Sequence, residues 1–181
     1  MTTAAVAAPQ GMFDFLDECH QLMEQKLRVL DALARAAETA DLDAGQRAAA
    51  RELVTWFTTE ARHHHLDEEK HIFPSLLSSG DSNIVEITER LIQDHGWLEA
   101  DWLQIEPSLA AAAEGNNWFD PAMLREAVEV FHQLYIDHIV LEESIAYPQA
   151  RARVDAQALA AMGTEMAQRR AVREAKAGST A

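Results

Sequence analysis

Apolar residues recur three or four positions apart along most of this 181-residue chain, a spacing that is typical of helices with one buried face. In residues 12–38 the apolar positions are Phe15, Leu16, Leu22, Met23, Leu27, Leu30 and Leu33. Alanine is plentiful, whereas glycine and proline number only 7 and 5, so long segments lack a helix breaker. No alternation of apolar and polar residues competes with this pattern. The sequence therefore predicts an all-α protein.

Four long helices and a less strongly patterned fifth one follow from this spacing. The expected ranges are 12–38, 44–73, 83–106, 121–147 and 152–174. Asp43 can cap the second helix, and Asp120 with Pro121 provides a capping residue and a first helical residue for the fourth. Because the connections between the four long helices are short, we expect an up-down-up-down four-helix bundle, followed by a C-terminal helical tail.

Prolines mark the expected ends of these helices, because proline interrupts helical hydrogen bonding. We expect the second helix to close at Pro74 and the fourth to stop at Pro148. The third helix should bend or end at Pro107, with room to resume as far as residue 113. The resulting domain division is a flexible leader at 1–11, the bundle at 12–148 and a helical, partly disordered tail at 149–181.

The net charge of −15 argues against a nucleic-acid partner, because a phosphate backbone is bound by cationic side chains. From residue 149 onward there are six Lys or Arg against three Asp or Glu, so that segment is +3 and the preceding part is −18. No apolar run approaches the length of a membrane span, and MTTAAVAAPQ lacks the features of a secretory signal. The single cysteine, Cys19, precludes an internal disulfide and suits a reducing compartment. We therefore expect a cytoplasmic protein.

One phrase of sequence occurs twice, as HHLDEEKHIFP at 64–74 and HIVLEESIAYP at 138–148. Each copy contains a histidine, a glutamate four residues later, a second glutamate, an aromatic residue and a proline. Residues four apart share one face of a helix. Each copy is therefore predicted to present an imidazole and a carboxylate together.

The same histidine–glutamate spacing occurs in each of the four long helices. The four pairs are His20/Glu24, His64/Glu68, His95/Glu99 and His138/Glu142. Four such faces turned inward would meet at one level of the bundle core. Buried imidazoles and carboxylates compensate one another poorly, because a carboxylate can only accept hydrogen bonds. Divalent cations would solve this problem, and mixed imidazole and carboxylate ligands suit iron, manganese or zinc.

These motifs resemble the hemerythrin-like, or HHE, cation-binding domains over roughly residues 12–148. The resemblance implies a four-helix bundle around a non-heme diiron centre, in which the two iron ions are oxo-bridged or carboxylate-bridged; manganese or zinc are alternative metals. The metal ligands that it implies are His20, His64, Glu68, His95, His138 and Glu142. Glu68 and Glu142 would be the bridging carboxylates.

Two positions differ from the oxygen-carrying hemerythrins. Glu99 stands where the carriers have a further histidine, and Glu142 stands where they have aspartate. An additional oxygen ligand would favour higher oxidation states and would fill a coordination position, which argues against simple reversible carriage of O2. The pattern looks closer to bacterial proteins that repair iron–sulfur centres under oxidative or nitrosative stress.

Several other residues are candidates for a place at or near the site. Glu99, Glu24 and His71 are interpreted as additional ligands or pocket residues. His63 and His65 lie about 100° on either side of His64 around the helix, so we place them at the surface or behind the ligands.

Three classes of function stay open. The first is a diiron protein that senses or reacts with O2, NO or peroxide at an open metal position, with a protein redox partner as a further expectation. The second is iron storage or donation, or repair of iron–sulfur centres. The third is a structural metal-binding bundle that acts as an interaction module. The sequence does not decide whether the protein is an enzyme.

Overall fold

The computed structural model describes residues 11–178, and every regular element in that range is helical. The α-helices are α1 Met12–Thr39, α2 Ala44–Trp56, α3 Arg62–His71, α4 Phe73–Leu77, α5 Ser82–Ala113, α6 Pro121–Leu141, α7 Tyr147–Arg151 and α8 Ala156–Gly178. Two π-helical turns, Phe57–Ala61 and Glu142–Ala146, join α2 to α3 and α6 to α7. The leader predicted at 1–11 lies outside the described residues except for Gly11, which precedes α1.

Four long helical segments form the bundle. They are α1, the run from α2 to α4, α5, and the run from α6 to α7. Around the bundle, α1 packs against α6, α6 against α5, and α5 against α2, while α2 closes the ring against α1. The predicted all-α bundle with a C-terminal helix is confirmed. The tail helix α8 packs on α1, and none of the described helices has the length and apolarity to cross a membrane.

The prolines do not end the helices as predicted. Pro74 and Pro148 each stand in the first turn of a further short helix, α4 or α7, so both helical segments continue past the proline. A proline is tolerated there because the first N–H groups of a helix have no intrahelical acceptor. α5 also continues through Pro107 to Ala113 without a break. The predicted ends of the second and fourth helices were therefore wrong, whereas the third helix reaches residue 113, as far as the prediction allowed.

The two π-helical turns lie beside the repeated motifs. Phe57–Ala61 ends three residues before His64, and Glu142–Ala146 begins at the glutamate of the second motif. A π-helical turn contains one more residue than an α-helical turn, so it changes the direction of every side chain that follows. The apolar periodicity of the sequence did not indicate either turn.

Two apolar clusters lie along the bundle, one on each side of a buried polar layer. In α1, Leu16 belongs to one cluster and Met23 to the other, and His20 lies between them. In α5, Leu91 and Leu98 belong to the two clusters. The buried polar residues are His20, His64, His65, Asp67, Glu68, Thr88, Asp94, His95, His138 and Glu142. The bundle thus encloses its most polar level between two hydrophobic ones.

Leu27→Ala should lower the free energy of unfolding by about 2–5 kcal/mol, because Leu27 is fully buried and its truncation leaves a cavity. Leu22 was included in the predicted apolar face, but it is 46% exposed. Leu22→Ala should therefore change the free energy by less than about 0.5 kcal/mol. Denaturant unfolding of both variants measures the difference, and equal losses would contradict this view of the core.

Candidate metal centre

Four histidines and two glutamates meet in the buried polar layer, and together they come from all four helical segments. They are His20 of α1, His64 and Glu68 of α3, His95 of α5, His138 of α6 and Glu142 of the second π-helical turn. None of them is more than 5% exposed. These are the six side chains predicted as ligands, and their binding of metal stays a prediction.

The histidines form two pairs of similar geometry. The rings of His20 and His64 meet edge to face, with centroids 4.7 Å apart and planes at 72°. The rings of His95 and His138 meet in the same way, with centroids 4.8 Å apart and planes at 61°. Nε2 of His95 and Nε2 of His138 are 3.1 Å apart. In each pair, one histidine belongs to a helix that carries a copy of the repeated motif, and the other belongs to a helix that carries none.

Each glutamate presents one oxygen to each histidine pair. Oε2 of Glu142 is 3.2 Å from Nε2 of His20, and its Oε1 is 3.1 Å from Nε2 of His138. Glu68 places Oε1 3.5 Å from Nε2 of His64 and Oε2 3.5 Å from Nε2 of His95. Two carboxylates that span two pairs of imidazoles have the arrangement needed to bridge two cations.

The buried atoms of this cluster fit bound cations. Both carboxylate oxygens of Glu142 and Oε2 of Glu68 accept no hydrogen bond of good geometry, although imidazoles lie nearby. A buried polar atom without a partner is costly, and a charged one is more so. Two groups of side chains contain both glutamates, and within each group the possible ligand atoms all lie within 4.8 Å of one another. The groups are His20/His64/Glu68/Glu142 and Glu68/His95/His138/Glu142. The cluster could therefore hold two cations.

Burial and mutual charge shift the pKa values within the cluster. Burial lowers the pKa of His64 well below its ordinary value, so this imidazole is neutral and can act as a ligand. Burial also disfavours charge on His20 and His138, but Glu142 outweighs it and raises the pKa of each to about 9. Burial and then the charge of Glu142 raise the pKa of Glu68 to about 7. Without a cation, protons on the histidines compensate the buried carboxylates.

The second glutamate of each motif holds a histidine of another helix from outside the cluster. Oε1 of Glu143 is 2.9 Å from Nδ1 of His20, and Oε1 of Glu69 is 2.8 Å from Nδ1 of His95. A carboxylate on the far nitrogen fixes the orientation of an imidazole ligand and makes it more basic. Sequence reasoning did not assign these two residues, although the doubled glutamate in each motif was the available signal.

The aromatic residue of each motif also packs on a histidine of another helix. Tyr147 stacks on His20 and Phe73 on His95, with ring centroids 5.4 Å apart in both contacts. The Tyr147 hydroxyl donates a hydrogen bond to Oε1 of Glu68 and lies 3.2 Å from Nε2 of His20. Phe73 has no hydroxyl, so the two halves of the cluster differ by one hydrogen-bond donor.

Glu24 and Glu99, predicted as additional ligands or pocket residues, do not join the ligand groups. Glu24 is exposed and pairs with Arg28 at 3.5 Å, while the exposed Glu99 pairs with Arg62 at 3.1 Å. Each acid lies on the same helical face as a histidine, but its side chain extends into solvent and pairs with an arginine. Each of them lines a surface hollow. Glu24 lines one beside Glu143, and Glu99 lines the cavity that also reaches His95.

His71 also lies outside the ligand groups, although it was predicted as a ligand or pocket residue. Its Nε2 is 2.8 Å from Oε2 of Glu165 in α8. Glu165 also binds Lys70 and Arg169, and Arg169 pairs with the buried Asp67 of α3. His71 therefore connects the tail helix to the outer face of α3.

Of the two places predicted for His65, the surface or behind the ligands, its burial excludes the surface. Its ring stacks on His95, with centroids 4.1 Å apart and planes at 12°. The hydroxyl of Tyr135 lies 3.4 Å from its Nε2. A cavity of about 300 Å³ between α3, α5 and α6 is lined by both histidines and by Tyr135. His95 of α5 and Tyr135 of α6 cover this side chain, which the helical wheel alone did not show.

Residues 11–150 match the family model of the hemerythrin HHE cation-binding domain. The match spans most of the chain, so the chain belongs to the hemerythrin-like HHE family, and the resemblance inferred from its motifs is confirmed. An uncharacterized protein of Haemophilus influenzae is 28% identical over 162 residues, which cover 89% of this chain and 91% of that protein. With its cluster of histidines and glutamates, this chain is a metal-binding hemerythrin-like protein.

Glu143→Ala should weaken metal binding about 10–100-fold, because His20 loses the carboxylate that orients its ring. Glu24→Ala is the matched control, since it removes another exposed carboxylate from the hollow that Glu143 lines. Competition with a chelator of known affinity measures both variants. Equal affinity in the two variants would contradict the orienting role of Glu143.

In the metal-free protein, raising the pH from 6.5 to about 9 should lower the free energy of unfolding. The pKa of His20 rises from 6.5 to about 9 on folding, so its stabilising contribution is complete below pH 6.5 and is lost as the pH rises through about 9. His138 contributes with the same sign. Thermal unfolding of chelator-treated protein across this range measures the loss.

Metal-loaded protein should show the opposite trend over the same range, because the imidazoles must lose their protons to bind a cation. A metal-free protein whose unfolding temperature rises between pH 6.5 and pH 9 would contradict the proton-compensated cluster.

Proposed function

We propose that this protein is a non-heme diiron protein that senses or reacts with O2, NO or peroxide at an open metal position. The observation that carries the proposal is the pair of buried glutamates, each of which offers one oxygen to each of two histidine pairs. Mixed imidazole and carboxylate donors suit iron, manganese and zinc better than magnesium or calcium. Iron would supply the redox chemistry and the coordination positions that bind the small ligand.

The number of donors supports an open position. Five imidazoles and two carboxylates belong to the possible ligand groups, and even this set has fewer donor atoms than two octahedral ions require. A protein that only needed a structural metal would be expected to close its coordination shell with side chains, as structural zinc sites do. The donor set therefore favours a site that takes an exogenous ligand.

The cavity supports access from one side of the cluster. The 300 Å³ cavity reaches His95 and His65 between α3, α5 and α6. On the opposite side, a surface hollow ends at Tyr147 and Glu143 and is not lined by a histidine of the cluster. Tyr147 is only 2% exposed, so its ring and hydroxyl cover the His20 side. A small ligand would approach from the His95 side.

The test is metal analysis and absorption spectroscopy on protein purified from iron-supplied cells without added metal. We expect about two iron ions per chain, with a near-ultraviolet absorption that changes on reduction with dithionite and again on exposure to O2, NO or peroxide. His64→Ala and Glu142→Ala should lower the iron content, because each removes a buried donor. His132→Ala is the control, since that imidazole pairs with Asp31 away from the cluster.

The outcomes separate the proposed function from the alternatives. Iron that transfers readily to a chelator or to an apo iron–sulfur protein, with no spectral response to O2, NO or peroxide, would favour iron donation or repair instead. A colourless zinc protein that ignores dithionite would favour a structural bundle. Unchanged metal content in both His64→Ala and Glu142→Ala would contradict the site itself.

A further inference from the structure

We propose that the cavity between α3, α5 and α6 is a binding site for a small, uncharged aromatic molecule that carries a hydroxyl group, such as a phenol. This inference goes beyond the proposed function, which requires only that O2, NO or peroxide reach a cation. The walls of the site are side chains of this chain, so binding does not depend on a metal. Because His95 lines the cavity, its occupant would lie beside the candidate metal centre.

The cavity is much larger than a diatomic ligand requires. Its volume is about 300 Å³. A cavity can hold one water molecule once its volume reaches roughly 10–15 Å³, and O2 and NO are not much larger than water. Sites for small organic molecules begin at about 300 Å³. The cavity therefore has the size of a site for a small organic molecule.

The inner wall of the cavity is aromatic. It includes the buried rings of Phe57, Trp102, Phe131 and Tyr135. The ring centroids of Phe57 and Trp102 are 4.9 Å apart, and so are those of Phe131 and Tyr135. Aromatic rings favour offset-stacked or edge-to-face contacts with one another. A planar ring in the cavity can extend this set of contacts, whereas an aliphatic molecule cannot.

Two buried polar groups accompany the aromatic wall. His65 and Tyr135 both line the cavity, and the Tyr135 hydroxyl lies 3.4 Å from Nε2 of His65. The indole N–H of Trp102 donates to Thr58 instead. A neutral imidazole and a phenolic hydroxyl each combine a donor and an acceptor, so they can pair with one hydroxyl group of a ligand. The lining thus favours a hydroxylated aromatic molecule over a plain hydrocarbon.

The charges at the rim favour an uncharged occupant. Among the described residues that line the cavity, Arg62 is the one lysine or arginine, and it pairs with Glu99 at 3.1 Å. The carboxylate of Glu69 pairs with Nδ1 of His95 at 2.8 Å. Each of these charges already has a partner of opposite sign or a hydrogen-bond donor. A charged ligand would therefore lose its hydration without gaining a free countercharge.

A glycine keeps the mouth of the cavity open. Gly96 lies inside α5, where glycine is less favourable than alanine. Its φ is not positive, and a Cβ atom added there would meet no side chain or neighbouring element within 4 Å. Neither backbone conformation nor close packing therefore requires glycine at this position. Gly96 lines the cavity on the same face of α5 as Ile92 and Glu99, so its missing side chain leaves space at the opening.

The experiment is isothermal titration calorimetry of the whole chain, as purified and after chelator treatment. The main probe is phenol. Toluene lacks the hydroxyl, cyclohexanol lacks the aromatic ring, and benzoate and phenyltrimethylammonium carry charges of opposite sign. We expect one equivalent of phenol to bind both protein samples with a dissociation constant below about 1 mM. Toluene and cyclohexanol should bind about two- to tenfold more weakly, and the charged probes at least about tenfold more weakly.

Gly96→Leu should weaken phenol binding at least about tenfold, because its side chain occupies the mouth of the cavity. Its unfolding temperature should not fall, since leucine is the better helix former. Ala100→Leu is the matched control, because it adds the same side chain to an exposed position of α5 that does not line the cavity. Nuclear Overhauser contacts between phenol and the Trp102 ring locate the bound molecule without any variant.

Four results would overturn the inference. They are the absence of phenol binding, equal phenol binding by Gly96→Leu and the wild type, binding of any other probe as tightly as phenol, and phenol contacts that do not include Trp102. Phenol binding that disappears after chelator treatment would also contradict it, because phenol would then be bound by the metal and not by the cavity.

This titration is separate from the test of the proposed function. A chain that binds no phenol can still hold two iron ions and react with O2, NO or peroxide. A chain that binds phenol after chelator treatment has the cavity site whether or not iron is its metal.

Discussion

The structure depends on the compensation of two carboxylates buried between two apolar clusters. Glu68 and Glu142 are fully buried, and a buried charge without a partner costs several kcal/mol. Four imidazoles face these carboxylates. Those of His20, His95 and His138 can hold protons that compensate the carboxylates, and all four can instead share bound cations with them. Metal binding and proton binding therefore compete at one level of the bundle, and both are coupled to folding.

The repeated motif explains how four helices are held in one register. Each copy supplies a histidine and a glutamate to the cluster, and its other residues contact histidines of helices that carry no copy. Glu143 and Tyr147 hold His20 of α1, while Glu69 and Phe73 hold His95 of α5. Every long helical segment is thus fixed by at least one contact that also orients a candidate ligand. The same contacts that stabilise the bundle prepare the site for a metal.

The tail helix α8 extends this compensation to a third buried acid. Asp67 stands next to Glu68 on α3, is 2% exposed, and pairs with Arg169 of α8. Glu165 of the same helix binds Lys70 and His71. The positive charge that the sequence concentrates after residue 149 thus meets acidic groups of the bundle. α8 covers the outer face of the helix that carries His64 and Glu68, so it supports the site without lining it.

Local spacing along the sequence determined the helices and the shared faces of the His-x-x-x-Glu pairs, because helical periodicity depends only on residues a few positions apart. The six candidate ligands among these pairs were singled out by the family resemblance of the repeated motif. What lies opposite each face was decided by tertiary packing. Glu99 has the same spacing from its histidine as Glu142, yet it turns to Arg62 and solvent, whereas Glu142 also meets His20 and His95 of other helices. His65, about 100° around the helix from His64, was placed at the surface or behind the ligands, because a helical wheel does not show which side chains of α5 and α6 cover it. Burial is a property of several helices together, and no single segment of sequence contains it.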